Sequence, residues 1–213
     1  MRPSRVVAID GAAGSGKSTL ARALAEALGL AYVNTGSMYR ALTGAALRAG
    51  VDLDDEAALL RVIEGLRFTL RDGSPPELEV EGWTPEALTA PEVETQVSRA
   101  ARHPEVRQVL RILQRGFGQG EGAVMEGRDI GTVVFPEAPV KIFLTADPDA
   151  RGSRRLAERS PDRAIVRALH ARDEQDARVN PLEPATDAIV IDTTDLDPER
   201  TLARALAIVR ERL

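Results

Sequence analysis

Lys17 and Ser18 close the run Gly11-Ala12-Ala13-Gly14-Ser15-Gly16-Lys17-Ser18. That spacing, G-x-x-x-x-G-K-[ST], suits the cradling of a nucleotide's phosphates. The glycines let backbone N–H groups turn toward an anion without Cβ clashes. Lys17 offers a point charge to the β- and γ-phosphates, and Ser18 a hydroxyl to Mg²⁺. The run needs a strand before it and a helix after it. Val6-Val7-Ala8-Ile9-Asp10 reads as the strand, and Thr19 to Leu28 as the helix, with Leu20, Leu24 and Leu28 on one stripe. The helix would aim its positive dipole end at the same anion. Nucleoside triphosphate binding follows from this agreement of loop, strand and helix.

Four further clusters could act beside this loop, some of them on a second anion. Asn34-Thr35-Gly36-Ser37-Met38-Tyr39-Arg40 offers a hydroxyl, a glycine turn and, one helical turn later, an arginine. It suits a second phosphate, or plain N-capping by Thr35 or Ser37. Glu126-Gly127-Arg128-Asp129-Ile130-Gly131-Thr132 ends an apolar run, where Arg128 and Asp129 would project at the carboxyl edge of a sheet or form a buried pair. Ser98 and Arg107 flank His103-Pro104, which ends one helix and begins another. Arg151, Arg154 and Arg155 share a helix face, with Arg159, Arg163 and Arg172 beyond. Such a face is either simply solvated or a lid that neutralises a transferring phosphoryl group.

The elements that must position these groups alternate. Strand-like runs at 5–10, 31–34, 123–126, 140–144 and 188–192 are separated by helical patterns over about 37–49, 54–65, 104–116, 148–158, 162–175 and 198–212. This predicts an α/β fold, a five-stranded parallel sheet flanked by helices. Asp147-Pro148 and Asp197-Pro198 read as N-caps followed by a first-turn proline. Residues 67–84 break the alternation: period-two patterning on either side of Arg71-Asp72-Gly73-Ser74-Pro75-Pro76 predicts an antiparallel hairpin inserted outside the main sheet, with Trp83 as a local anchor.

Composition narrows the class. The 213 residues are 43% hydrophobic, which suits one globular domain. No apolar run approaches the ~18 residues of a membrane span, and Met1 to Arg5 leads straight into strand pattern, so a cytoplasmic protein is expected. There is no cysteine, and the two histidines, His103 and His170, lie far apart, so neither disulfides nor a His- or Cys-based metal site is expected. The net charge of −5 argues against a general nucleic-acid binder. No long exposed apolar helix face stands out, which favours a monomer. An Asn-Lys-x-Asp base-reading motif is missing, which argues against a GTP switch.

Taken together, these stretches resemble bacterial cytidylate kinase, a nucleoside monophosphate kinase. The likeness rests on Ile9 to Ser18, on Thr35 to Arg40, on Glu126-Gly127-Arg128-Asp129-Ile130-Gly131-Thr132-Val133-Val134-Phe135-Pro136, and on Ala138 to Leu144. It runs over nearly the whole chain, hairpin included. The resemblance implies transfer of the ATP γ-phosphoryl group to CMP or dCMP with Mg²⁺, a step in pyrimidine nucleotide metabolism. It makes Gly11, Ala12, Ala13, Gly14, Ser15, Gly16, Lys17, Ser18 and Thr19 the ATP contacts. Thr35 and Arg40 would hold the acceptor nucleotide, Arg40 and Arg128 its phosphate, and Ser98, Arg107 and Asp129 its cytosine. Lys17, Arg128, Arg154 and Arg155 would be catalytic. Arg151, Arg154, Arg155 and Arg172 would belong to an Arg-rich helical lid, and Asp176 would contact the sugar.

The resemblance also implies a division into core (about 1–35, 104–147 and 176–213), monophosphate-binding region (about 36–103) and lid (about 148–175). One stretch departs from the family pattern. Arg178 follows Asp176 by two residues where the family has its arginine at three, and Pro181-Leu182 comes early. The competing expectations are another small P-loop kinase with a different monophosphate or metabolite as acceptor, and a non-catalytic nucleotide-binding module. Arg40, Arg128 and Asp129 count against the module, which needs no second anion site.

Overall fold

Val6 to Ile9 are all apolar and three of the four are β-branched, a strand pattern that runs straight into the glycine-led loop. The computed structural model describes residues 5–159 and 182–213, with side chains in the first run as far as Arg154. Strand β1 (Val6–Gly11) leads into helix α1 (Lys17–Leu28), then β2 (Ala31–Asn34), α2 (Thr35–Arg48) and α3 (Glu56–Glu64). The hairpin β3 (Phe68–Arg71) and β4 (Glu77–Val80) follows. Next come three short helices, α4 (Pro85–Leu88), α5 (Pro91–Glu94) and α6 (Val97–Ala101), and the longer α7 (Pro104–Gly118). Strand β5 (Ala123–Gly127), a wide π-type turn (Ile130–Val134), β6 (Val140–Thr145), α8 (Pro148–Arg159), β7 (Ile189–Asp192) and α9 (Pro198–Arg212) complete the described order.

The sheet order is β3-β4-β2-β5-β1-β6-β7. The five expected strands are all present and pair in parallel. The hairpin, expected outside the sheet, instead extends it. β3 and β4 are antiparallel, and β4 joins β2 through the single register pair Tyr32↔Glu77. That seam is reinforced by Tyr32 N–H donating to Pro76 O at 2.7 Å and by an Arg22–Glu77 ion pair at 3.0 Å. An exposed strand edge is a ready template for pairing, and β4 covers the edge that β2 would otherwise present.

Alternation along β1 divides the core. Val7 and Ile9 face one side, packed with Leu20, Leu24, Ile142, Leu144 and the apolar stripe of α9. Val6 and Ala8 face the other, with Val33, Met125, Ile130 and Phe135. Burial on both faces is what a central parallel strand requires. Asp197 and Asp147 act as expected at their helix starts: Asp197 accepts from Arg200 N at 2.8 Å and Asp147 from Asp149 N at 2.9 Å. The N-cap of α2 is neither Thr35 nor Ser37 but Asn34, whose side chain accepts from Ser37 N at 3.2 Å. His103 is satisfied within the core, with Nε2 2.8 Å from Leu53 O. The expected helix over 162–175 lies outside the described residues.

Trp83 anchors the hairpin on α2. Its ring lies against Gly44, where an added Cβ would come within 2.5 Å of it, and the Arg48 guanidinium caps the ring at 3.7 Å. Gly44→Ala gains helix propensity of about 1 kcal/mol but forces the ring off its seat. The overlap wins, and we expect a net loss of about 1–2 kcal/mol in urea melts. An unchanged or raised midpoint would show that the ring shifts without penalty.

Candidate active site

The loop between β1 and α1 is fixed by close packing. Gly11 has φ +148°, and a Cβ there would lie 2.2 Å from Leu144 O, so no other residue fits. Ser15 N donates to Ala12 O at 3.3 Å, and Lys17 Nζ reaches back to the same carbonyl at 2.6 Å. Gly16, in the left-handed region, ends the loop as N-cap of α1.

In front of this loop lies a cavity of about 410 Å³. Its walls bring together residues spread over more than a hundred positions. Lys17, Ser18 and Thr19 line it from the loop side, Thr35 and Arg40 from α2, Ser98 from α6, Arg107 from α7, and Arg128 and Asp129 from the end of β5. All six described acceptor-side candidates therefore share one cavity with the phosphate loop. Thr35 Oγ1 donates to Glu126 O at 2.7 Å, which ties α2 to β5. Arg40 Nη2 is 3.0 Å from Ser37 Oγ and 3.4 Å from Asn34 Oδ1. Arg107 Nη2 donates to Asp129 Oδ2 at 2.8 Å, both side chains largely buried. Asp129, between β5 and the π-type turn, therefore pairs with Arg107 of α7, and both remain on the cavity wall.

A second cavity, of about 340 Å³, lies on the other side of the loop and shares Gly14, Gly16 and Thr19 with the first. Arg154, Thr193, Leu196 and Pro198 complete it. Arg154 Nη1 donates to Thr193 Oγ1 at 3.0 Å, and Nη2 to the carbonyl oxygens of Thr193 and Thr194. The Thr193 hydroxyl lies 3.0 Å from Ser15 O, joining this group to the loop. Arg151, buried, donates to Ala13 O at 3.1 Å. Two of the expected lid arginines are thus rooted on the phosphate loop and the turn after β7, with their guanidinium groups on main-chain carbonyls. The Arg155 side chain, Arg172, Asp176 and Arg178 lie outside what the structure describes.

Some residues at the site carried no functional signal in the sequence. Glu126, 3% exposed, accepts from the Tyr32 hydroxyl at 2.5 Å. Burial, then the neighbouring Glu126 charge, holds the Tyr32 phenol well above its ordinary range. Tyr39 is pushed up to about 12, chiefly by burial, and stays neutral on the cavity wall. Thr89 and Glu94 reach the cavity from the short helices after the hairpin. An acid ending a buried strand could have flagged Glu126, whereas Thr89 and Glu94 have no pattern to find.

The donor set bears on magnesium. Among the described residues no group of three or more His, Cys, Asp or Glu could hold a metal. The Ser18 hydroxyl and the Glu126 carboxylate, both on the wall of the first cavity, are hard oxygen donors beside the loop. Few protein ligands plus phosphate oxygens and water is the usual coordination of Mg²⁺, so these residues fit it.

Asp10 sits at the end of β1, 6% exposed. Its Oδ1 accepts from Ile130 N at 2.8 Å and its Oδ2 from Gly131 N at 2.7 Å. Burial pushes its carboxyl up to about 6, helped by the Asp129 charge and opposed by the two N–H donors and Lys17. A carboxyl raised in the folded state contributes stability that is complete below about pH 4 and is lost as pH rises through about 6. Asp10→Asn removes this titration. The variant should therefore gain about 3 kcal/mol relative to the parent between pH 4 and pH 7.5 in denaturant melts. A difference that does not change with pH would contradict it.

Comparison with known proteins agrees with the geometry. Residues 7–211 match the family model described as cytidylate kinase. A cytidylate kinase of Chloroflexus aggregans is 47% identical over 221 residues, covering 97% of this chain and 94% of that protein. A bifunctional pantoate ligase/cytidylate kinase of Synechococcus is 40% identical over 98% of this chain, which spans 41% of that longer protein. Among solved structures, a gluconokinase from Sinorhizobium meliloti superposes with a TM-score of 0.51 at 15% identity, over 98% of this chain and 93% of that one, a likeness of fold. No described helix is long and apolar enough to cross a membrane. With a family model covering almost its full length and a relative near half identity, the chain belongs to the cytidylate kinase family.

Proposed function

We propose that the two cavities are the acceptor and donor sites of one phosphoryl transfer, meeting at the Gly11–Ser18 loop. The chain is an ATP-dependent nucleoside monophosphate kinase that phosphorylates CMP and dCMP. The observation that carries the site assignment is the convergence of Lys17, Arg40, Arg128 and the Arg107–Asp129 pair on one cavity. ATP lays its phosphates along the loop, with its base and sugar in the second cavity beside Arg154 and Thr193. The monophosphate takes the first.

An oxygen of the acceptor phosphate attacks the γ-phosphorus, a P–O bond forms, and the bond to the β-phosphate oxygen breaks with its electron pair leaving on ADP. The acceptor phosphate is already anionic at neutral pH, so a strong general base is unnecessary. Positioning and charge neutralisation supply most of the rate. Lys17 and the loop N–H groups hold the donor, while Arg40 and Arg128 hold the acceptor phosphate. Mg²⁺, when bound beside Ser18, neutralises charge on the donor's phosphate oxygens. Asp129 accepts from the cytosine amino group, with Arg107 and Ser98 donating to its ring acceptors. Thr35 positions the acceptor. We assign Arg151, Arg154, Arg155 and Arg172 to a lid and its root that excludes water, and Asp176 and Arg178 to the acceptor's sugar and phosphate. The same reading divides the chain into core, monophosphate-binding region and lid, and makes the enzyme monomeric and cytoplasmic, with no nucleic-acid or membrane partner, which the net charge of −5 supports.

A coupled ADP-release assay with CMP, dCMP, UMP, AMP and shikimate tests this. CMP and dCMP should turn over fastest. Faster turnover of AMP or shikimate, or ATP binding without transfer, would overturn the assignment.

A further inference from the structure

Arg128 and Asp129 stand between two fixed points. Behind them β5 ends at Gly127, and ahead the π-type turn begins at Ile130. That turn closes through Val134 N–H donating to Asp129 O at 3.1 Å and Phe135 N–H donating to Ile130 O at 2.7 Å. A turn of this kind leaves its first N–H groups and last carbonyls without partners of its own. Here four of these end groups are tied to side chains from elsewhere, and a third side chain holds the carbonyl of Pro136 just beyond the turn. Asp10 takes the N–H groups of Ile130 and Gly131, one on each carboxylate oxygen. Arg115, from α7, donates to Val134 O at 2.8 Å and Val133 O at 3.1 Å. Lys141, from β6, donates to Pro136 O at 2.5 Å. Its stem also fills the space beside Gly131, where an added Cβ would lie 3.2 Å from it. A negative charge thus meets the donor end of the turn and positive charges meet the acceptor end, the sense in which a turn's own dipoles are stabilised.

Asp10 has a second property that the other two ties lack. It immediately precedes Gly11, so its backbone is continuous with the phosphate loop while its side chain holds the segment that carries Arg128 and Asp129. We propose that Asp10 is a positioning residue that sets the spacing between the donor loop and the acceptor-binding pair, with Arg115 as the matching tie at the far end of the turn. The inference rests on the acceptor assignment given under the proposed function. Asp10 touches no substrate and acts through the two N–H groups it holds. Burial disfavours ionisation of its carboxyl, but the ionised form is the one that accepts from both N–H groups.

The test compares the parent with Asp10→Asn and Arg115→Ala. Asparagine keeps the shape but can accept only one N–H and turns a donor toward the other. CMP and ATP affinities are read by calorimetric titration, and KM and kcat by ADP release. We expect Asp10→Asn to weaken CMP binding and raise the KM for CMP by about fivefold or more, to lower kcat, and to leave ATP affinity within about twofold, because a displacement near 1 Å at a reacting centre has effects of this size or larger. Arg115→Ala should shift CMP affinity in the same direction by about twofold or more, with partial rescue in Arg115→Lys. Smaller losses of CMP affinity, or parallel losses of ATP affinity, overturn the proposal. Should Asp10→Asn fail to fold, Arg115→Ala decides by its own threshold. A parent that does not phosphorylate CMP would instead refute the acceptor assignment, a result separable from either.

Discussion

Lys17→Ala lowers kcat by about 10³-fold, equivalent to ~4 kcal/mol of transition-state stabilisation. Lys17 is the only charged side chain in the run Gly11–Ser18, and in the proposed mechanism it follows the phosphoryl group as charge moves from the acceptor to the leaving ADP. No other described group is both continuous with the loop and cationic. The fold should persist, with a melting temperature within a few degrees of the parent, since a substitution away from the core changes stability by about 0.5 kcal/mol or less. The loop's shape has other supports: Gly11 packed against Leu144 O, Arg151 on Ala13 O, and Thr193 on Ser15 O. Single-turnover and steady-state assays, paired with thermal melts, check both halves. A kcat within about tenfold of the parent would remove the loop lysine from the mechanism.

Asp129→Ala should lower kcat/KM for CMP by about 10²- to 10³-fold. Two losses combine. The acceptor proposed for the cytosine amino group disappears, and Arg107, whose side chain is 17% exposed, loses its partner at 2.8 Å. A buried polar mismatch alone costs roughly 1–3 kcal/mol, and the freed guanidinium is no longer held toward the ring acceptors. Asp129→Asn separates the contributions, because the carboxamide keeps the shape but offers donors as well as an acceptor. It should narrow the preference for CMP over UMP by about tenfold or more, since uracil's oxygen then meets a donor instead of a carboxylate. Side-by-side kinetics with CMP and UMP provide the measurement. Parent-like efficiency in Asp129→Ala would show that the base is read elsewhere.

How much of this was legible in the residues follows from the range over which each pattern acts. The phosphate loop is local: glycines, lysine and hydroxyl lie in one run, and the strand and helix around it have clean periods. The five parallel strands were legible for the same reason, as short β-branched runs between helical stripes. The hairpin's existence was legible from Phe68 to Arg71 and Glu77 to Val80, but its attachment was not. One register pair, Tyr32↔Glu77, decides that, and a single pair leaves no trace in a sequence pattern. Helices α4, α5 and α6 span four or five residues each, less than the two turns a 3.6-residue period needs. For Arg151 and Arg154 the pattern alone left a solvated face and a lid both open, because their acceptors, Ala13 O, Thr193 O and Thr194 O, are main-chain groups distant in sequence. Asp10 and Glu126 were hidden differently. Each closes an apolar strand and so reads as its polar boundary, and only the three-dimensional neighbours of their oxygens reveal what they hold.

The seating of Trp83 gives the protein an internal optical reporter. It is the chain's only tryptophan, and it leans on the same helix that carries Arg40 to the first cavity, with the Arg48 cation stacked on its ring. Indole emission responds to nearby charge and to solvent contact, so any rearrangement of α2 on nucleotide capture would register in its spectrum. Binding in the first cavity can thus be followed in real time, with no attached dye and no second indole to subtract.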